Sequence, residues 1–199
     1  MEFVDNSERT TLTLIRWGGA ATVFGSLSYL AAGYLDRPGI SGYTSALVSM
    51  LGVATPAFFL GGLVGLGSRL LLFRGEPSYV RGTGFVIGCL GTMLGVINAV
   101  SHAVGLEQTY WELDSVGNWW LALLFTGLTL IGMFTLLKEE LRRLGALVLT
   151  SGLLGVGSSL TDSAFSGVLV PIRTAHVLFA ALFCLCAIVW GWMLFRETF

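Results

Sequence analysis

Residues 84–106 read GFVIGCLGTMLGVINAVSHAVGL, a run without a charged side chain. A helix that crosses the hydrocarbon core of a bilayer needs about 20 such residues. Steps of three and four, which keep to one face of a helix, meet seven small or polar residues: Gly84, Gly88, Gly91, Gly95, Asn98, His102 and Gly105. The segment is therefore predicted to be a transmembrane helix whose glycine-lined packing face becomes polar near one end.

The whole chain has the composition of a membrane protein. Of its 199 residues, 54% are hydrophobic and 12% are charged, and its mean hydropathy is +0.80, whereas about a quarter of the residues in a soluble domain are charged. A net charge of −1 argues against a nucleic-acid partner, which would require a basic patch. The three cysteines fall inside predicted spans and are interpreted as packing residues, so no disulfide framework is expected.

Five further apolar runs accompany this segment. The six predicted spans are residues 12–35, 46–73, 84–106, 119–137, 144–165 and 173–195. We therefore predict an all-α fold: a polytopic membrane protein whose six transmembrane helices form a single domain over residues 1–199. The polar, acidic N-terminus lacks the basic start and small-residue cleavage site of a signal peptide, so the first span is expected to stay in the mature protein.

The basic residues predict the orientation in the membrane. One set of span ends carries nine of the eleven: Arg9, Arg16, Arg69, Arg74, Arg81, Lys138, Arg142, Arg143 and Arg196. The other set carries only Arg37 and Arg173. Because Lys and Arg concentrate in short cytoplasmic loops, both termini are predicted to lie in the cytoplasm, with the spans in the cell membrane. Six spans, an even number, would place both termini on the same side of the membrane, in agreement with this orientation.

Three repeated helical hairpins are also predicted. The even spans end alike, in LLLFRGE (70–76), FTLLKEE (134–140) and WMLFRE (192–197). Among the odd spans, LGVINAVSHAVGL (94–106) resembles LGVGSSLTDSAFSGVL (154–169). The alternative is that spans rich in leucine and glycine resemble one another by composition alone.

The fifth span repeats the small-to-polar pattern of the third. The same stepping meets Gly145, Val148, Gly152, Gly155, Ser159, Asp162 and Ser166. Both spans are predicted to run outward, which places His102 and Asp162 at similar depth. Small-xxx-small faces are the expected interfaces in lipid, and a carboxylate inside a span usually finds a partner. We interpret His102 and Asp162 as a pair, either a functional site or a structural hydrogen bond between two helices.

Further polar residues are predicted to gather at the same outer side. The predicted ligand-binding set is His102, Asp162, Asn98, Ser159, His176, Glu107, Tyr110, Glu112 and Asp114. His176 opens the sixth span, and residues 107–114 form an acidic loop that we interpret as a lid. The alternative for Tyr110 and the nearby tryptophans is an interfacial aromatic belt.

Two cofactors suit these residue types, and no motif selects either. Zinc is bound by His, Asp and Glu, which makes His102, Asp162 and His176 candidate metal ligands, but no HxxxH or HxxH spacing is present. A b-type haem held between the two histidines is the less favoured alternative. No catalytic residue is assigned, and the chain has no GxSxG nucleophile elbow.

One short string resembles a known family. The string His102, Leu106, Asp114 resembles the alkaline-ceramidase-like membrane hydrolases, in which a histidine ends one span and an aspartate opens the next. That family also has a paired HxxxH in its last span, whereas Ile172 stands four residues before His176 here. The chain is therefore not assigned to the family.

The preferred function is binding without catalysis. The inner halves of the third and fifth spans are mainly glycine, valine and leucine, so a polar path through both leaflets is not expected. We expect a one-sided, outward-facing polar pocket for a lipid, a small apolar ligand or a membrane partner, in a protein that acts alone, as a homo-oligomer or as a subunit of a larger membrane complex. The alternatives are a metal-dependent, membrane-embedded lipid hydrolase that uses His102, Asp162 and His176, and a b-type haem protein.

Cysteine accessibility tests the predicted orientation. In a variant without the native cysteines, Gly75→Cys should react with an impermeant thiol reagent only after the membrane is permeabilised, because the basic loops face the cytoplasm. Thr109→Cys, on the predicted outer side, is the control and should react in intact cells. Labelling of the Gly75→Cys variant from outside would overturn the orientation.

Overall fold

Each of the six predicted spans corresponds to one long helix. The computed structural model describes residues 6–35, 44–72, 79–104, 112–165 and 170–196, and near some helix ends it describes the backbone alone. The helices are α1 (Asn6–Leu35), α2 (Thr44–Leu72), α3 (Tyr79–Ala103), α4 (Glu112–Leu136), α5 (Arg142–Phe165) and α6 (Val170–Arg196). A short 3₁₀ turn, Glu139–Leu141, joins α4 to α5, and the described residues contain no strand.

Five of the six helices are long and apolar enough to cross a membrane. In the described residues the candidate segments are Met50–Leu71, Gly82–Ser101, Trp119–Leu136, Glu139–Leu160 and Val177–Arg196. α1 is not among them. The prediction of an all-α, multi-pass membrane protein is confirmed, while the crossing of the membrane by α1 stays a prediction.

All six helices begin earlier than the apolar runs that predicted them, and α1 starts at Asn6 instead of residue 12. α3 starts at Tyr79 instead of residue 84, and α4 starts at Glu112 instead of residue 119. Hydropathy locates only the part of a helix that suits hydrocarbon. Backbone hydrogen bonds can continue beyond that part, and the first turns of α3 and α4 accordingly include Arg81 and Asp114.

The helices form a closed ring in chain order. Each helix packs against the one before it and the one after it, and α6 closes the ring by packing against α1. Neighbouring helices are antiparallel, as short connections in helix bundles require; for example, Gly84 and Gly91 of α3 lie against Leu130 and Leu124 of α4, in reverse order. α4 therefore lies between α3 and α5.

Glycines bring α4 into backbone contact with both of its neighbours. A β-carbon placed on Gly91 of α3 would lie 2.6 Å from the Leu124 nitrogen, and one placed on Gly152 of α5 would lie 2.5 Å from the Thr129 nitrogen. Real β-carbons do not approach other atoms this closely, so only glycine allows these contacts. The glycine stripes of α3 and α5 thus both face α4, from its two sides, and in the described residues they do not face each other.

Two further glycine crossings hold α1 in the ring. Gly18 of α1 meets Gly65 of α2, where a β-carbon on Gly18 would lie 2.8 Å from the Gly65 nitrogen. Gly19 meets Gly191 of α6, where a β-carbon on Gly19 would lie 2.5 Å from the Gly191 carbonyl oxygen. The second crossing is the contact that closes the ring.

An aromatic cluster fills the centre of the ring. The side chain of Phe183 on α6 is 1% exposed, and the centre of its ring lies 4.8 Å from that of Phe125 on α4. The centre of the Phe183 ring also lies 5.7 Å from that of Phe59 on α2 and 6.3 Å from that of Tyr29 on α1. Nearer the α4–α5 turn the buried aliphatic side chains are Ile15, Leu66, Leu70, Ile131, Leu141, Leu144, Val148 and Leu194. Apolar side chains therefore occupy much of the interior of the described part of the ring.

The buried hydroxyl groups bond their own helices. Thr22, Thr92 and Ser151 each donate a hydrogen bond to the carbonyl oxygen four residues earlier, at 3.0, 3.2 and 2.8 Å. The residues that make the same bond elsewhere in the interior are Ser26, Thr55, Ser68, Thr129 and Thr135. Such bonds let serine and threonine enter an apolar helix without a partner from another element.

The contacts of α4 predict the effect of adding side chains to its neighbours. Gly91→Leu and Gly152→Leu should each lower the free energy of unfolding by about 1–3 kcal/mol, the usual effect of overpacking, because the new side chain would meet backbone atoms of α4. Thermal unfolding in detergent measures the change.

Gly52→Ala is the matched control for these variants. A β-carbon on Gly52 would meet nothing within 4 Å, and alanine is the better helix former, so the melting temperature should not fall. Leu90→Ala and Leu153→Ala, on exposed faces, should cost less than either leucine insertion. The opposite ranking would show that the packing faces are wrongly assigned.

Candidate functional site

Three helices meet near the last turns of α3. A β-carbon placed on Gly95 would lie 2.8 Å from the Trp120 ring and 2.9 Å from the Pro56 β-carbon. The indole of Trp120 on α4 and the ring of Pro56 on α2 therefore lie against Gly95, which has no side chain to hold them off. We call this end of the bundle, at which α1, α3 and α5 end, the outer end, after the predicted orientation.

Asn98 lies one turn beyond Gly95 on α3. Its side chain is partly buried, and its carboxamide oxygen Oδ1 is fully buried without a hydrogen-bond partner among the described residues. Leaving a buried acceptor unpaired costs about 1–3 kcal/mol. The buried hydroxyl of Thr92 on the same helix bonds the Gly88 carbonyl instead. Asn98 is thus the residue of the predicted site that needs a hydrogen-bond donor.

Two buried serines lie at the same end and are not in the predicted set. Ser101 of α3 is 7% exposed and Ser158 of α5 is 2% exposed, while the predicted Ser159 is partly buried. Ser101 lies three residues after Asn98, and Ser158 lies three residues after Gly155. The buried face of a helix is wider than the single row of residues used for the prediction, and including the neighbouring rows would have found both serines.

The backbone positions of three predicted site residues are described. His102 lies in the last turn of α3, Asp162 in the last turn of α5 and His176 in the second turn of α6. Their side chains lie outside the described part of the structure. The predicted contact between His102 and Asp162 therefore stays a prediction.

The acidic loop is described only in part. Glu112 and Asp114 belong to the first turn of α4, and their side chains lie outside the described part of the structure. Glu107 and Tyr110 lie outside the described residues altogether. The role of this segment as a lid also stays a prediction.

The order of the helices shows which candidate residues belong to neighbouring helices. α5 packs against α6, and a β-carbon placed on Gly157 would lie 3.5 Å from the Phe179 ring. Asp162 and His176 lie beyond this contact, toward the outer end of two adjacent, antiparallel helices. His102 belongs to α3, which α4 separates from α5, and each step between neighbouring helix axes is about 8–10 Å. The helix order therefore favours His176 as the histidine nearer to Asp162.

The described residues contain no group of three His, Cys, Asp or Glu side chains that could hold a metal ion. The candidate ligands His102, Asp162 and His176 are not among the described side chains. This finding therefore does not bear on zinc or haem at the outer end, and both stay predictions.

By sequence, the segments assigned to the outer end have an acidic composition. Their ionisable residues, histidine apart, are five carboxylates and two arginines: Asp36, Glu107, Glu112, Asp114, Asp162, Arg37 and Arg173. Five negative and two positive charges give a net charge of −3. Such an end repels an anionic ligand and attracts a cationic one, and the buried oxygen of Asn98 needs a donor.

No family model, curated protein or solved structure matches this chain. The resemblance of the string from His102 to Asp114 to the alkaline-ceramidase-like hydrolases therefore rests on those residues alone. The candidate site is defined by its own geometry and chemistry.

Proposed function

We propose that this protein binds a lipid, another small apolar ligand or a membrane partner through a polar pocket at the outer end of the bundle. The observation that carries the proposal is the buried oxygen of Asn98, which has no hydrogen-bond partner among the described residues. A ligand that donates a hydrogen bond to this oxygen recovers the free energy lost by burying it. A carboxamide accepts and donates hydrogen bonds but is not a nucleophile, so it suits recognition.

Among such ligands, the outer end favours an amphipathic molecule with a hydrogen-bond donor. Asn98 offers an acceptor, and Trp120 offers an aromatic surface beside Gly95. A hydroxyl group or a protonated amine on an apolar body suits both, because a cation also gains from the face of an indole. A phosphate headgroup would be repelled by the net negative charge of this end.

The packing of the ring supports binding over conduction. The ring of Phe183 contacts aromatic side chains of α1, α2 and α4 at the centre of the bundle. A ligand that enters from the outer end would therefore meet an aromatic floor. The polar groups between this aromatic cluster and the outer end would then line a pocket that opens on one side only.

The proposed orientation places this pocket on the outside of the cell membrane, with both termini in the cytoplasm. Nine of the eleven basic residues lie at the opposite end of the bundle, and cytoplasmic loops are the basic ones. The ligand would then enter from the outer leaflet or from the external medium. In this proposal His102, Asp162 and His176 complete the polar wall of the pocket, and residues 107–114 cover it.

Small-xxx-small packing is proposed as the means by which the ring assembles. Gly84, Gly91 and Gly152 all lie against α4, so these stripes are occupied within the chain. A second copy or a larger complex would instead contact outward-facing side chains, such as Leu90 and Met93 of α3. The three-hairpin repeat remains part of the proposal, supported by the similar span ends.

A metal-dependent lipid hydrolase is the second candidate. The observation that favours it is the adjacency of α5 and α6, which places Asp162 and His176 on neighbouring helices at the same end. Carboxylate and imidazole are ordinary zinc ligands, and His102 would have to reach past α4 to join them. Elemental analysis of the purified protein distinguishes the candidates, because only the hydrolase requires stoichiometric zinc.

Asn98→Leu tests the pocket. Leucine has nearly the shape of asparagine without its polar atoms, so the variant should be as stable as the parent or more stable by up to about 1–3 kcal/mol. It should nevertheless crosslink poorly to a photoreactive long-chain amino alcohol. The control is Thr92→Val, because the Thr92 hydroxyl already bonds the Gly88 carbonyl, and its crosslinking should be unchanged.

Two outcomes would contradict this proposal. Equal crosslinking by the Asn98→Leu and Thr92→Val variants would show that Asn98 takes no part in binding. Stronger crosslinking by the phosphate ester of the same alcohol would overturn the class of ligand, because the outer end should repel an anion.

A double-mutant cycle identifies the partner of Asp162. Asp162→Asn is combined in turn with His176→Gln and with His102→Gln, and thermal stability gives the coupling energy. Residues in contact couple by about 0.5–3 kcal/mol, whereas distant residues are additive. We expect the larger coupling with His176, because α5 and α6 are neighbours, and a stable Asp162→Asn variant, because an amide still forms hydrogen bonds. Additivity with both histidines would remove Asp162 from the site.

A further inference from the structure

A second group of interacting side chains lies at the inner end of the bundle, opposite the outer end, on the seam between α1 and α6. The guanidinium carbon of Arg16 lies 5.6 Å from the centre of the Phe195 ring, and that of Arg196 lies 5.8 Å from the Trp192 ring. The two rings stack, with their centres 5.7 Å apart and their planes 25° apart. Two cations and two aromatic rings thus form one continuous cluster, which we call the seam cluster.

The backbone holds the seam cluster in place. A β-carbon placed on Gly19, one turn after Arg16, would lie 2.5 Å from the Gly191 carbonyl oxygen and 2.7 Å from the Phe195 nitrogen. α1 and α6 are therefore in backbone contact beside the cluster. Phe195 and Arg16 keep their relative position because neither helix can shift without breaking this contact.

The seam cluster is open to the surroundings of the bundle. Trp192 is 52% exposed, and the neighbouring Trp17 of α1 is 72% exposed. Arg196 is also exposed. Tryptophan side chains concentrate at the level of the lipid headgroups, so this exposed aromatic and basic surface is placed to meet headgroups.

The charge at this end favours an anionic partner. By sequence, the segments assigned to this end contain nine basic residues and seven carboxylates, a net charge of +2; the carboxylates are Glu2, Asp5, Glu8, Glu76, Glu139, Glu140 and Glu197. The guanidinium of Arg196 lies beside the exposed ring of Trp192, and the N–H edge of a guanidinium matches the two oxygens of a phosphate. An isolated surface arginine has no ring to hold it in one orientation.

We propose that the seam cluster binds the headgroup of an anionic phospholipid. Arg196 donates hydrogen bonds to the phosphate, and the exposed Trp192 lies beside the glycerol and the first carbons of the acyl chains. With the termini in the cytoplasm, this site faces the leaflet in which anionic lipids concentrate. The site lies at the opposite end from the proposed pocket, and neither depends on the other.

Native mass spectrometry of the whole protein tests this site. The protein is released from micelles that contain phosphatidylglycerol and phosphatidylcholine, and the ratio of the two lipids retained is measured. Arg196→Gln should weaken the preference for phosphatidylglycerol about tenfold or more, because it removes a charged hydrogen bond worth about 1.5–3 kcal/mol, and each 1.4 kcal/mol is a factor of ten. Arg143→Gln removes an exposed cation of the same end in the first turn of α5, and should change the preference much less.

The Trp192→Leu variant tests whether binding depends on the aromatic ring of the seam cluster or only on its positive charge. It keeps both cations and removes the ring that orients Arg196, so the preference should again fall several-fold. Equal losses in the Arg196→Gln and Arg143→Gln variants, or an unchanged preference in Trp192→Leu, would overturn the site. Soluble glycerol phosphate at the lipid's concentration should not compete; if it did, the cluster would bind free phosphate and not a lipid.

Discussion

The contact of α4 with α3 and α5 is the constraint on which the rest of the ring depends. Lipid chains are as apolar as leucine, so helices in a membrane gain little from burying apolar surface and depend on close packing. Gly91 and Gly152 remove the side chains that would hold α4 away from its neighbours. Because α4 packs against α3 on one side and α5 on the other, these three helices lie side by side in chain order. The crossing of Gly19 with Gly191 can then close the ring.

Closing a ring of six helices creates an interior that must be filled. Phe183 fills the centre from α6, and its partners come from three other helices. The hydroxyl groups that enter this interior, such as Thr22 and Thr135, bond their own backbones. They therefore need no partner from another helix. The buried oxygen of Asn98 lacks such a bond among the described residues, which sets it apart from them and concentrates the need for a donor at the outer end.

Periodicity predicted the helices and their faces well, because both depend on local sequence. The glycines at three- and four-residue spacing in residues 84–95 correctly predicted which face of α3 is buried. The partner of that face could not be predicted, since α3 and α5 carry similar glycine stripes, whereas the few glycines of α4, such as Gly127 and Gly132, form no such stripe. Which helix lies between two others is a property of the whole ring. The pair of His102 and Asp162, predicted from matching stripes and similar depth, stays a prediction, and the adjacency of α5 and α6 adds His176 as a second candidate partner of Asp162.

The two ends of the bundle differ in the kind of hydrogen-bonding group that they supply. The inner end supplies guanidinium donors, ordered at the α1–α6 seam by aromatic rings. The outer end supplies the acceptor of Asn98 and an excess of carboxylates. In the two proposals, a phosphate suits the first end and is repelled by the second, whereas an amine or a hydroxyl suits the second. One molecule with a single headgroup would therefore not satisfy both proposed sites. In the proposed orientation, the anionic lipids of the cytoplasmic leaflet would be poor competitors for a ligand of the proposed outer pocket.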